Sequence, residues 1–131
     1  KKMLSELVKE ANITDSVNFI GRLPQEEVLN YYTQVDCVIV NSHFETYSMV
    51  TIEAILSGVP VIATCCKGPE QFINENNGLL IEQNNSEQLE NAMNSIQAID
   101  LLPESIANSL SKESSKELVR DKLLKIYQNH M

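Results

Sequence analysis

Basic residues are nearly missing from the middle of this chain. Between Leu23 and Ser111 there is one, Lys67, against twelve acidic residues, and the 131-residue sequence has a formal net charge of −8. Such a surface repels DNA and RNA. No hydrophobic run approaches the roughly 20 residues that cross a bilayer as a helix, and no signal peptide is legible. Cysteine is scarce: Cys37, Cys65 and Cys66 form an odd set with no Cys-x-x-Cys spacing, against a disulfide framework or structural zinc. They read as small apolar residues in a reducing compartment. The two histidines, His43 and His130, lie too far apart in sequence to suggest a metal cluster. Neither a Gly-x-x-x-x-Gly-Lys phosphate loop nor a Gly-x-Gly-x-x-Gly fingerprint occurs.

What is present is an apolar core. Hydrophobic residues make up 43%, and the length suits one domain. Met3, Leu4, Leu7, Val8 and Ala11 space as a helix over 1–11. The chain thus opens in mid-helix without an initiator methionine, so the expectation is a piece cut from something larger. Val17 to Gly21 reads as a strand. Pro24 opens a helix whose inner face holds Val28, Leu29, Tyr32 and Val35. Asp36 to Val40 is a short, nearly all-apolar strand of the kind covered on both faces. A loop over 41–47 leads to a helix from about Ser48 to Ser57, with Gly58 as its C′ residue. Pro60 to Thr64 is a third strand, Gly68-Pro69 starts a helix through about Asn74, and Gly78 to Ile81 is a fourth strand. Asn85 and Gln88 resemble a capping box for a helix along Leu89, Ala92, Met93, Ile96 and Ile99. Pro103 opens a short helix, and a last one runs from about Lys112 to Asn129.

Alternation of this kind implies a parallel sheet with right-handed crossovers, whose ligands bind beyond the carboxyl ends of the strands. Three loops are therefore the candidate site: Gly21-Arg22-Leu23, Asn41 to Tyr47, and Cys65 to Pro69. Within them Glu45 and Glu53 bracket a helix start. Free amides near Ser48 to Val50 lie about 6 Å along the axis from Glu53. That suits a ligand with hydroxyls at two ends and anionic groups between, as in a nucleotide sugar. Diphosphate oxygens would accept from the helix N-terminus, Glu53 from both ribose hydroxyls, and Glu45 would reach the sugar. Two carboxylates eight apart are also common by chance as ordinary loop and helix residues. His43 reads as a loop or packing residue, Lys67 as a solvated lysine, and Glu70 as a first-turn helix residue.

Residues 41–64, Asn-Ser-His-Phe-Glu-Thr-Tyr-Ser-Met-Val-Thr-Ile-Glu-Ala-Ile-Leu-Ser-Gly-Val-Pro-Val-Ile-Ala-Thr, resemble the donor-site signature of group 1 (family 4) retaining glycosyltransferases. Val17-Asn-Phe-Ile-Gly21, Gly68-Pro-Glu70, Asn77-Gly-Leu-Leu80 and Ile126-Tyr127 are similar to further landmarks, in order. The resemblance implies the C-terminal half of a two-domain GT-B enzyme: α/β, a Rossmann-like parallel sheet lacking its first strand, flanked by helices and ending in helices. Residues 1–131 would form one nucleotide-sugar-binding domain. Glu45 would hold the sugar at the catalytic centre and Glu53 the ribose. Amides of Tyr47, Ser48 and Met49 would contact sugar and diphosphate, and Gly21 and Arg22 would border the base.

No cofactor or metal is implied beyond the nucleoside diphosphate sugar itself. The implied partners are that donor, a glycan or lipid-linked acceptor, and an N-terminal acceptor domain of the same chain. The implied location is the cytoplasm, with the inner face of the cell membrane a second option for the parent. Two departures stand out. The family commonly has glycine where this chain has Thr46 and Ser48, and its diphosphate-binding Arg and Lys would lie upstream of Lys1. This piece alone is expected to be inactive. A nucleotide-sugar epimerase of the same architecture and a flavodoxin-like interaction module are the alternatives. The acidic cluster, phosphorylatable Asp and Lys of a receiver are not placed here.

Overall fold

The computed structural model describes residues 2–96 and 102–110. Its elements are α1 (Lys2–Glu10), α2 (Gln25–Tyr32), β1 (Val38–Val40), α3 (Met49–Leu56), β2 (Val61–Thr64), β3 (Gly78–Ile81), α4 (Ser86–Ile96) and α5 (Pro103–Ala107). Short 3₁₀ turns lie at Thr14–Ser16 and Pro69–Gln71. The strands form one parallel sheet in the order β1-β2-β3, with Val38 opposite Val61 and Val61 opposite Gly78. This is the α/β architecture that the alternating pattern predicts.

Alternation of side chains across β2 assigns its residues to two cores. Val61 and Ala63 pack with Val40, Ile52, Ile55 and Ile106 in one core. Ile62 packs with Ile81, Ala92 and Ile96 of α4 in the other. All four β2 residues are buried, as expected of a strand covered on both faces. Gly78 lets β2 and β3 approach: a Cβ there would meet the Val61 carbonyl oxygen at 2.1 Å.

α3 ends as the sequence indicates. Gly58 has φ +78, its amide bonds the Ile55 carbonyl at 2.9 Å, and the Val59 amide bonds the Ala54 carbonyl at 3.0 Å. This pair of bonds is a Schellman closure, which turns the chain sharply into β2. A Cβ on Gly58 would also strike Pro103, at 2.7 Å.

Several expectations need correction. Val17 to Gly21 forms no strand: it runs beside no other strand among the described residues, and Phe19 and Ile20 are exposed. A ladder needs a partner, whatever the propensity of the segment. The turn after Pro69 stops at Gln71 rather than running to Asn74. The Asn77 side chain takes over there: its Oδ1 accepts from the Asn74 amide and its Nδ2 donates to the Phe72 carbonyl. In α2 only Val28 and Tyr32 face the core, while Leu29 is exposed; Val35 lies beyond the end of α2 and is exposed too. Met93 likewise stays exposed on α4.

The capping box at Asn85 is half formed. Gln88 N–H donates to Asn85 Oδ1 at 2.9 Å, but Gln88 Oε1 accepts from the Glu82 amide at 2.7 Å instead of returning to Asn85. Ile99 and the helix expected from about Lys112 to Asn129 lie outside the described residues. No helix among the described residues is long and apolar enough to cross a membrane.

Candidate functional site

The loops after β1 and β2 meet at the carboxyl edge of the sheet. Thr64, the last residue of β2, turns its hydroxyl toward β1. Its Oγ1 donates to the Ser42 carbonyl at 2.5 Å and accepts from the Ser42 amide at 3.1 Å. A residue with a small hydroxyl at a strand end can thus tie down the loop that leaves the neighbouring strand. Beyond it the two chains pair again: the Glu45 amide bonds the Cys66 carbonyl at 3.1 Å, and the Gly68 amide bonds the Glu45 carbonyl at 2.8 Å. Gly68 is required at that contact, because a Cβ would lie 2.9 Å from the Glu45 carbonyl oxygen. Glu45 is thereby fixed through its backbone, and Ser42 Oγ donates to its Oε1 at 3.4 Å.

Gln83, just beyond β3, completes the edge. Its Nε2 donates to the His43 carbonyl at 3.1 Å and to the Cys65 carbonyl at 2.9 Å. His43 is exposed, and its Nδ1 lies 3.4 Å from Gln83 Oε1. Sequence reasoning missed both Gln83 and Thr64. Gln83 belongs to no motif, Thr64 only closes the 41–64 stretch without a role of its own, and the available signal was their position at strand ends.

The start of α3 is unusual. Ser48 is its N-cap in the left-handed region, φ 51 and ψ 66. A non-glycine residue there costs of order 1 kcal/mol. Ser48 is one of the two positions where the resemblance leads one to expect glycine, which takes up this conformation without that cost. The buried Ser48 hydroxyl is 2.8 Å from the buried Thr51 hydroxyl and makes no capping bond to the backbone. The first amides of α3 are therefore left uncapped at the positive end of the helix dipole. Tyr47, beside them, packs edge-on against Phe72 with ring centroids 5.0 Å apart.

Glu53 stands four residues into α3, on the half-buried side of the helix. Gln25 Nε2 donates to its Oε1 at 3.0 Å. Burial, then the nearby Glu53 charge, push the Tyr32 phenol above its ordinary pKa. The Gln25 contact was not anticipated, although Gln25 and Tyr32 share a helix face at i and i+7.

The geometry thus brings together Glu45, Tyr47, Ser48, Met49 and Glu53 around one helix start. Gly21 and Arg22 are exposed and hydrogen-bond to none of them, and Gly21 has an unobstructed φ of +84. They precede Gln25 by a few residues and so lie upstream of the helix that touches Glu53. Lys67 places its Nζ 5.3 Å from the ring centroid of Phe44, and its amide donates to Glu70 Oε1 at 3.0 Å. Cys65 is exposed at the same rim. Its thiol pKa is raised, first by desolvation and then by the charges of Glu70 and Glu82, so it is a poor nucleophile.

Known proteins share this sequence and fold. A Haemophilus influenzae protein described as an uncharacterized glycosyltransferase is 37% identical over 101 residues, covering 76% of this chain and 26% of that one. A D-inositol 3-phosphate glycosyltransferase of Corynebacterium urealyticum is 35% identical over 82 residues, covering 62% of this chain and 19% of that one. The chain thus spans about a quarter or less of the curated relatives it matches. Among solved structures, sucrose-phosphate synthase from Thermosynechococcus elongatus superposes with a TM-score of 0.81 at 28% identity, over 98% of this chain and 33% of that one. The C-terminal domain of a group 1 family glycosyl transferase from Francisella tularensis gives 0.68 at 29% identity, over 93% of this chain and 61% of that one. The sheet and its flanking helices thus match the C-terminal domains of GT-B glycosyltransferases. The sequence model described as "Glycosyl transferases group 1" matches residues 1–114, and the chain belongs to that family.

Proposed function

We propose that this chain is the donor-binding part of a retaining glycosyltransferase. The parent moves a sugar from a nucleoside diphosphate sugar to a glycan or lipid-linked acceptor. Membership of the group 1 family supports glycosyl transfer. The donor assignment is carried by one observation: α3 opens with uncapped amides between two carboxylates, one fixed in the preceding loop and one held a turn into the helix.

Each residue then has a role. The amides of Tyr47, Ser48 and Met49 receive the sugar and diphosphate oxygens, which accept from N–H groups aligned with the helix dipole. Glu53, a turn further on, accepts from the two ribose hydroxyls. Glu45 orients sugar hydroxyls near the anomeric carbon and stabilises positive charge that develops there. Gly21 and Arg22 border the base. The acceptor attacks the face from which the diphosphate departs, and a diphosphate oxygen takes the acceptor proton, so configuration is retained. An N-terminal acceptor domain of the same polypeptide completes the centre, and the cytoplasm is the proposed location.

Calorimetry on the full-length parent tests this reading. Glu53→Ala removes two hydrogen bonds to a charged group and is expected to weaken donor binding by about 2–4 kcal/mol. Unchanged affinity would sink the ribose assignment. The 131 residues by themselves are expected to show no turnover, and measured transfer from them alone would refute the need for an acceptor domain.

A further inference from the structure

We propose that Gln83 is a positioning residue for the Glu45 carboxylate, and that it acts on the sugar half of a bound donor while leaving the nucleotide half alone. The inference rests on the reading of Glu45 as the residue that orients sugar hydroxyls. Gln83 lies just beyond Ile81, the last residue of β3, and its side chain is fully committed. One N–H of its amide serves the His43 carbonyl and the other the Cys65 carbonyl, at 3.1 and 2.9 Å, and its Oε1 faces the His43 ring. Carbonyl oxygens can only accept, so these two fix which way the amide points.

Both carbonyls stand just upstream of the contact that holds Glu45. The Glu45 amide bonds the carbonyl of Cys66, the residue after Cys65, and the Gly68 amide bonds back to Glu45. These two bonds make one isolated parallel bridge, Glu45 with Lys67. Among the described residues no ladder continues from it, and Lys67 has already left the extended region at φ +83. A lone bridge needs support from its neighbours, since even a two-stranded pairing is marginal in water. Thr64 supplies part of that support by tying Ser42, and Gln83 then ties position 43 to position 65.

The carboxylate has little else to direct it. Among the described residues its hydrogen-bond partner is Ser42 Oγ, at a long 3.4 Å. Its aim therefore follows its backbone, and that backbone follows the two loops that Gln83 joins. A side chain that meets a ligand has to be held within about 0.5 Å by such supporting bonds. None of the Gln83 hydrogen bonds reaches α3 or Glu53, so the proposed diphosphate and ribose contacts do not depend on it. Gln83 is also exposed and belongs to neither core, so its replacement leaves the packing of the sheet intact.

The test is calorimetry on the full-length protein with UDP beside UDP-glucose and UDP-galactose, GDP beside GDP-mannose, and ADP beside ADP-glucose. For the conjugate that binds tightest, the readout is the dissociation constant of its diphosphate divided by its own. Glu45→Ala is expected to lower that ratio by about tenfold, the scale of one hydrogen bond to a charged group. Gln83→Leu is expected to lower it by about threefold or more. Gln83→Glu, of the same shape, is expected to lower it at least as far, because it sets carboxylate oxygens against the two carbonyls. Affinity for the diphosphate alone stays unchanged in each. In the Glu45→Ala background Gln83→Leu has no further effect, which separates positioning of Glu45 from general damage. Failure of every conjugate to bind, or a ratio that Glu45→Ala leaves unchanged, overturns the donor-site reading itself. A ratio that falls in Glu45→Ala but survives either Gln83 variant overturns the positioning role, as does a Gln83→Leu effect that persists without Glu45.

Discussion

Two apolar segments of equal length, Val-Asn-Phe-Ile-Gly at 17–21 and Asp-Cys-Val-Ile-Val at 36–40, meet different ends in this molecule. The second supplies β1, pairs with β2 and sends its loop into the candidate site. Among the described residues the first pairs with no strand, leaves Phe19 and Ile20 exposed, and leads to Gly21 and Arg22, which hydrogen-bond to none of the described residues at the site. α1 behaves like the first segment. Its apolar stripe is helical, yet Met3, Leu4 and Leu7 are exposed, and among the described residues none of α1 enters either core. The difference lies in neighbours rather than composition. A side chain contributes burial energy only where another element covers it, and a strand exists only beside another strand.

Paired substitutions test that contrast most directly. Ile62→Ala, between β1 and β3 in the second core, is expected to cost about 2–5 kcal/mol, and Ile20→Ala to stay within about 0.5 kcal/mol. Urea denaturation followed by circular dichroism reads both, and similar costs would break the contrast. Thr64→Val comes next. It keeps the shape of the side chain and removes the hydroxyl tie to Ser42, at an expected cost of about 1–3 kcal/mol. Faster hydrogen exchange at the Ser42 and Glu45 amides would mark the loosened loop, and unchanged exchange would mean that the backbone pairing to Cys66 and Gly68 suffices.

The smallest effect is chemical. Because its pKa is raised, Cys65 stays protonated at neutral pH. Its alkylation by iodoacetamide is expected to run slower than that of free cysteine at pH 7–8, and to rise only at more alkaline pH. Glu70→Gln and Glu82→Gln together should speed it by removing two negative charges. A rate at or above that of free cysteine would contradict the electrostatics of the rim.

Much of the fold follows from local rules. The helix stop at Gly58, the strand at Val61–Thr64 and the helix opened by Pro103 are each set by residues within a few positions of themselves. The clustering of Glu45, Ser48 and Glu53 was legible for the same reason, since one helix start carries all three. What was not legible depends on partners distant in sequence. Nothing near Val17 says that no strand lies beside it. Nothing near Gln25 says that Glu53 is its acceptor. Thr64 and Gln83 are unremarkable residue types that gain importance only when the sheet brings three strand ends together.

Gln83 has a mechanical consequence. One amide at the end of β3 is pinned to the loops leaving β1 and β2, so the rim of the sheet has the character of a single plate rather than three independent flaps. Moving either loop away from β3 requires breaking one of these two hydrogen bonds.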